Sequence, residues 1–455
     1  MPARTRVARA RPRGCDVSDT VIDAAPRTYW TLTAGSTWGP LPDVPVPDRV
    51  EVLVVGGGLT GLATALHLAR RGVDVHVVER DQVGAGASTR NGGMVLAGLK
   101  PPPAQLLATY GRDLGVRLYR ASLDAIDHLE VFVRDEGIDC GFSRSGALWA
   151  ACTRRDLAGL RDAQRVLADE FGHATFVIER DELGSELGSP AYVGGLVDPL
   201  SAGLHPGKLV AGLLERALAA GVRVHERTEV LGLQADGVGT HVTLRTSEGV
   251  RTVAAGEVVA ATNGYTPPGL PSMRRRVIPI GSYIVVTRPL DDEVVHDLIP
   301  RGRMVFDSKR VLRYFRVLAD GRLLFGGRAS FREIDDDTAA VRLCRALTEV
   351  FPQVAGVAIE HRWSGKVAFT FDQLPHVGTV DGLHHALGYC GHGVGMSLFA
   401  ARSLAALVCG ETAELPFAEV AFPTRPYYRR RPWFLPIVGA WYGALDRVDS
   451  RRADR

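Results

Sequence analysis

No run of eighteen continuous apolar residues occurs in this 455-residue chain, which argues against a membrane-spanning helix. Cysteine is scarce. The six, at positions 15, 140, 152, 344, 390 and 409, show no CxxC or zinc-finger spacing. That argues against a disulfide framework and for a reducing compartment, the cytoplasm, with no metal site; Cys140 and Cys152 read as ordinary thiols. A large excess of charge is missing as well. The formal net charge of +3 gives no reason to expect nucleic acid, yet would not repel an acidic substrate. The opening MPARTRVARARPRGCDVSD is arginine-rich and lacks the apolar core of a signal peptide, so residues 1–22 are expected to form a disordered leader.

What is present is a glycine fingerprint in context. Residues 51–79 read EVLVVGGGLTGLATALHLARRGVDVHVVE. An apolar strand ends at Gly56, a helix carries Leu62, Leu66 and Ala69 at its spacing, and a second strand ends in Glu79. In a GxGxxG of this kind, Gly56 permits the tight turn. Gly58 lets a phosphate approach backbone N–H groups, together with Leu59 and Thr60 at the helix start. Gly61 lets the helix pack on the strand. Glu79, beside Arg80, is placed to accept hydrogen bonds from a ribose. Without a cofactor, the same residues would be a glycine-rich turn of an α/β protein.

Just beyond Glu79 comes GAGASTRNGGM, residues 84–94. Short side chains at Gly86, Ala87, Gly92 and Gly93 let backbone approach a large planar ligand, up to Met94. Ser88, Arg90 and Asn91 offer donors to phosphate or ring. This favours a tightly wrapped flavin over an exchanging nicotinamide. Further on, helices are predicted at 103–137, 154–170, 206–220 and 336–350, and strands at 143–151, 222–225 and 253–261. Residues 277–330 alternate as a mainly antiparallel sheet, one face of which would wall a substrate pocket. A last strand feeds a helix at 398–408 through the glycines of ALGYCGHGVGMS, residues 386–397.

Taken in order, GGGLTGLA, Glu79, GAGASTRNGG, ATNGYT (261–266), YFRV (314–317), LFGGR (324–328), RWSGKVAFTFDQLPHVG (362–378) and ALGYCGHGVGMS resemble the FAD-dependent amine and D-amino-acid oxidase family, most of all its gamma-glutamylputrescine-oxidising branch. The resemblance spans about residues 26–435. It implies a mixed α/β and α+β architecture of the glutathione-reductase and D-amino-acid-oxidase type. A Rossmann-like FAD-binding domain would comprise residues 50–102, 194–270 and 360–411. An antiparallel-sheet substrate domain would comprise 103–193 and 271–359. An N-terminal arm (23–49, with Tyr29, Trp30 and Trp38) and a tail (412–455) would complete the chain. Val230, Ala261, Thr262 and Asn263 would pass near the nucleotide. Gly391, His392, Gly393, Val394, Gly395 and Met396 would face the flavin's pyrimidine side, where the positive end of a helix favours charge developing on reduction. Relatives that attach flavin covalently use a cysteine at the position of Gly365, so FAD is expected to be noncovalent.

The implied reaction is oxidation of a small or medium amine or amino acid at its C–N bond, with oxygen as acceptor and hydrogen peroxide as product. The imine formed would hydrolyse. Two other readings stay open: an FAD monooxygenase or nicotinamide-dependent reductase, and a flavin-binding protein without turnover. His392 and Lys366 are the candidate catalytic groups, each with a structural alternative as a turn or surface residue. Arg328 would grip a substrate carboxylate with its two-donor fork. Tyr283, Tyr314, Trp363 and Tyr389 are candidate pocket aromatics, and Asp372 and His376 would bracket a polar substrate or fix their own turn. The basic, aromatic tail packs on the body or a partner, or touches an acidic membrane surface.

Overall fold

The computed structural model describes residues 28–35, 41–42, 44–235, 237, 239–331, 333–412, 415–428 and 432–453. The expected leader and Trp38 lie outside them.

The strand Arg49–Val55 is apolar on both faces, with Val52 to Val55 all buried, as a strand inside a parallel sheet must be. It pairs in parallel with Val75–Val78 on one side and with Gly249–Ala260 on the other. Arg223–His225 and Leu383–Leu387 extend this sheet in parallel, and His376–Val380 ends it antiparallel. Thr240–Thr246 pairs antiparallel with Gly249–Ala260, and Glu229–Ala235 pairs antiparallel with Thr240–Thr246. The helix Leu59–Ala69 packs on the sheet beside the helix Gly393–Val408.

A second eight-stranded sheet stands opposite. Its order is Ile359–Phe369, Ile278–Thr287, Leu323–Gly327, Arg313–Val317, Met304–Asp307, Ala147–Ala150, Gly195–Asp198 and Phe176–Ile178. All its pairs are antiparallel except Met304–Asp307 with Ala147–Ala150. The helix Asp336–Val350 covers one face, packing Leu343, Leu347 and Val350 with Phe315 and Phe325.

Two expected boundaries shift. Gly195–Asp198 falls within the stretch assigned to the nucleotide domain, but pairs with Ala147–Ala150 in the second sheet. Ile359–Phe369 likewise pairs along its length with Ile278–Thr287. An apolar strand serves either sheet equally well, and only its partner decides. The last helix starts at Gly393, ahead of the expected 398. Glycine is a poor helix former, but Gly395 sits where a Cβ would come within 3.2 Å of Val95 and 3.3 Å of the Ala125 carbonyl oxygen, so close packing holds the turn. The tail forms the helix Leu435–Ala453. Among the described residues, no helix is long and apolar enough to cross a membrane.

Several histidines are enclosed as neutral rings. Burial lowers the pKa of His67, His205 and His392 to about 4 and of His385 to about 3. In the unfolded chain each titrates near ~6.5. Their neutral forms therefore add stability above that pH, and it is lost as pH falls from there towards 4. Denaturant midpoints measured from pH 7.5 to 4 should fall steadily through that window. A flat profile would show that these imidazoles charge freely in the native state.

Candidate active site

A cavity of about 930 Å³ lies between the two sheets. Gly56, Gly58, Leu59, Thr60, Glu79 and Arg80 line its nucleotide-sheet side, with Val230 and Ala261 to Asn263 alongside. Gly56 adopts φ 111°, and a Cβ there would sit 2.8 Å from the Ala261 carbonyl oxygen. At Gly61 a Cβ would fall 1.9 Å from the Gly56 carbonyl oxygen, so helix and strand touch backbone to backbone. Gly61 itself does not reach the cavity. Glu79 is buried, which raises its pKa. Its two oxygens accept the N–H groups of Gly57 (2.8 Å) and Asp81 (3.0 Å), so it anchors the turn while keeping lone pairs for a ribose. Ser88 Oγ accepts the Leu59 N–H at 3.0 Å, and a Cβ on Gly58 would meet that Oγ at 2.6 Å. Arg80 turns to Asp81.

The loop at 84–94 is held by the arm and by the second sheet. Trp30 Nε1 donates to the Asn91 carbonyl (2.7 Å), and Trp363 Nε1 donates to the Arg90 carbonyl (3.1 Å). The loop's polar side chains shape the loop itself. Arg90 donates to the carbonyls of Ala85 and Ser364, and Asn91 to those of Ala87 and Ser88. Arg90 and Asn91 thus already donate to backbone carbonyls, while Ser88 accepts through Oγ, and all three side chains line the cavity. Gly86, Ala87 and Gly92 line the cavity beside Met94, whereas Gly93 is wedged against the Leu204 carbonyl and bonded by Arg316.

At the other glycine turn, Gly391 (φ 104°), His392, Gly393 and Val394 line the cavity. The helix Gly393–Val408 begins there without a side-chain cap, which leaves its positive end facing the cavity. Gly395 and Met396 are packed away from the cavity, against the neighbouring helix and core, because each lies a further step round the helix. Burial and then the charge of Lys100 hold His392 neutral. Its Nδ1 is enclosed without a partner among the described residues. A ring neutral down to about pH 4 is no general acid at neutrality. Burial also pushes the Cys390 thiol up to about 11, while its Sγ–H bonds the Gly388 carbonyl. No thiol stands at Gly365, where a Cβ would already be 2.9 Å from the Arg90 Cβ.

On the second-sheet side, Arg328, Tyr314 and Lys366 line the cavity, as does Tyr389 from the nucleotide domain. Arg328 stacks over Phe369 (4.8 Å) and Phe331 (5.8 Å) and forms no ion pair among the described residues. Tyr314 Oη lies 3.0 Å from Ser282 Oγ, and Tyr389 Oη 2.8 Å from Thr60 Oγ1. The Lys366 ammonium pairs with Glu333 at 3.0 Å on a half-exposed side chain, which takes it out of a free role beside a ring. Four expected contacts lie elsewhere. Tyr283 points into the core under Asp336–Val350, its hydroxyl accepting the Ile334 N–H. Trp363 packs with Trp30 and Tyr29. His376 stacks on Phe422 (4.3 Å) and bonds Asp372 (3.1 Å), fixing the turn. Alternation along Ile278–Thr287 sends Tyr283 to the helix-covered face, whereas Trp363 shares a cross-strand row with Tyr314 and is covered by the arm, and Asp372 and His376 bond each other across a turn. Lys100 and the tail residues Phe434, Leu435, Val438 and Tyr442 also line the cavity. Lys100 stands alone before three prolines, and no local pattern marks it. The tail's aromatic spacing was the only signal for the rest.

A dinucleotide turn ending on a buried acid, facing an antiparallel sheet across a cavity closed by a second helix start, defines a flavoprotein oxidoreductase fold. Residues 51–407 match the family described as DAO, FAD dependent oxidoreductase, and the chain belongs to it: the protein is an FAD-dependent oxidoreductase. It is 31% identical to gamma-glutamylputrescine oxidoreductase of Escherichia coli K12, over 92% of this chain and 98% of that one. It is 32% identical to the probable oxidoreductase OrdL of Rhizobium meliloti, over 89% and 94%. Glycine oxidase from Geobacillus kaustophilus shares the fold, with a TM-score of 0.69 at 22% identity, over 82% of this chain and 99% of that one. The glycine cradle and the uncapped helix start fit FAD. Glu79→Ala, by orphaning two N–H groups and removing the acceptor for a ribose hydroxyl, should weaken FAD binding by about 1–3 kcal/mol. Titration of apoprotein with FAD, followed by fluorescence quenching, measures this, and an unchanged dissociation constant removes Glu79 from the site.

Proposed function

We propose that the protein oxidises a small or medium amine or amino acid carrying a carboxylate, at the bond between carbon and nitrogen, with FAD held noncovalently. The single observation that carries this reading is Arg328, a guanidinium without a carboxylate partner among the described residues, on the cavity lining that the Gly391–Val394 turn also shares. Bound FAD would supply the two-electron redox chemistry of this oxidation, with oxygen as the final acceptor and hydrogen peroxide as product.

The protein's own groups orient the substrate and set its charge. The planar fork of Arg328 holds the carboxylate in two hydrogen bonds. Tyr314 and Tyr389 form walls with their hydroxyls already engaged. An amine is oxidised as its neutral form, and Arg328, Lys100 and a neutral His392 around the cavity disfavour a bound ammonium. The likeness to the E. coli enzyme makes gamma-glutamylputrescine or a similar amine the first substrate to try.

Anaerobic mixing with a panel of amines and amino acids at alkaline pH tests the reading. The flavin band should bleach without NAD(P)H. Bleaching that requires NAD(P)H would instead identify a monooxygenase or reductase, and no bleaching with any amine would refute the proposal. On a confirmed carboxylate substrate, Arg328→Lys should lower kcat/KM at least about tenfold with FAD content intact, because an ammonium cannot reproduce the two-donor fork. An unchanged KM and kcat/KM would remove Arg328 from the pocket.

A further inference from the structure

Lys100 lies outside every motif, yet it shares the cavity with Arg328, His392 and Cys390. It presents surface to that cavity, while the protein around it strips hydration and lowers its pKa. Lys100 and Arg328 are near enough to act on each other electrostatically and both border the neutral Cys390 thiol, and neither forms an ion pair among the described residues. Cys390 neighbours both cations, so they flank one stretch of the cavity. Acids do line the cavity, each with partners of its own: Asp81 with Arg80, Glu229 with Arg245, Asp198 with His173 and Ser201, Asp307 through Oδ1 with backbone N–H groups, and Glu79 with the glycine turn. Two like charges in a partly dehydrated space are costly without counter-charge.

The tail helix completes this end. Asp446 and Asp449 tie it to Arg310, and Tyr442 packs edge-on against Phe331, the ring beneath Arg328. A helix so anchored holds a phenol next to the guanidinium.

We infer that Lys100 and Arg328 form a two-cation pole of the substrate pocket, walled by Tyr442 of the tail helix, that selects amines bearing two carboxylates. This rests on the amine-oxidising reading for its substrate class and directs the search beyond gamma-glutamylputrescine, which has one carboxylate, to dicarboxylate amines. The charge count drives it: a neutral amine with two carboxylates brings the two negative charges that the pole lacks, and one with a single carboxylate leaves a cation uncompensated.

The test uses the FAD-loaded protein and two non-oxidisable probes, glutarate and butyrate, in titration calorimetry. Wild type should bind glutarate at least about tenfold tighter than butyrate. Lys100→Gln should erase that preference while keeping butyrate affinity, FAD content and the flavin spectrum, and Lys100→Arg should retain it. Equal binding of the two probes by wild type, or a preference that survives in K100Q, overturns the inference. A changed flavin spectrum or FAD content in ligand-free K100Q also overturns it, by assigning Lys100 to the cofactor. Should glutarate selectivity depend on Lys100 while no amine bleaches the flavin, the pole stands and the amine-oxidising reading falls. Amine bleaching without dicarboxylate selectivity gives the reverse.

Discussion

Everything in the site hangs on the backbone contact between Gly61 and the Gly56 carbonyl. With no side chain in between, the helix Leu59–Ala69 lies directly on the strand Arg49–Val55. That approach sets the turn between them, which in turn touches the Ala261 carbonyl at the end of Gly249–Ala260. Glu79 then bonds the same turn from the next strand. Three parallel strands are thereby locked at their carboxyl ends, where open α/β sheets hold their ligands. A methyl group at Gly61 would have to displace main-chain atoms, which are far less yielding than side chains.

The second constraint is electrostatic. The cavity joins an uncapped helix start, a neutral histidine and two cations, and its acids have partners of their own. Such a space favours negative and neutral occupants. It suits a cofactor whose ring gains electrons and a substrate that reacts as a free amine but carries carboxylate.

The two ends of the chain build the middle of the site. Trp30, from the arm, and Trp363, from the second sheet, donate to adjacent carbonyls of the loop at 84–94. These two bonds fix a glycine-rich segment that has little rigidity of its own. The tail closes the substrate side through Tyr442 and its neighbours. Neither end belongs to a nucleotide fingerprint, yet the arm holds a loop that lines the pocket and the tail supplies part of its wall.

The nucleotide turn was legible in the residues because its requirements are local. The order strand, glycines, helix, strand and acid leaves few alternatives at Gly56, Gly58, Gly61 and Glu79. The alternating strands at 277–330 and the helices at 103–137 and 336–350 could be read for the same reason, since periodicity is a property of neighbouring residues. Which sheet receives Gly195–Asp198 and Ile359–Phe369 could not, because strand partners lie far away in sequence. The same holds for side-chain direction. Tyr283, Trp363, Asp372 and His376 have the right chemistry for a pocket but pack elsewhere, and Arg90 and Asn91 donate to backbone carbonyls of the loop and of the second sheet. Lys100 has no pattern around it at all. The sequence by itself therefore determined the cofactor-binding turn and the class of fold, whose rules act over a few residues. Tertiary structure alone decided which charged groups meet in the cavity, because that depends on how distant strands, the arm and the tail pack together.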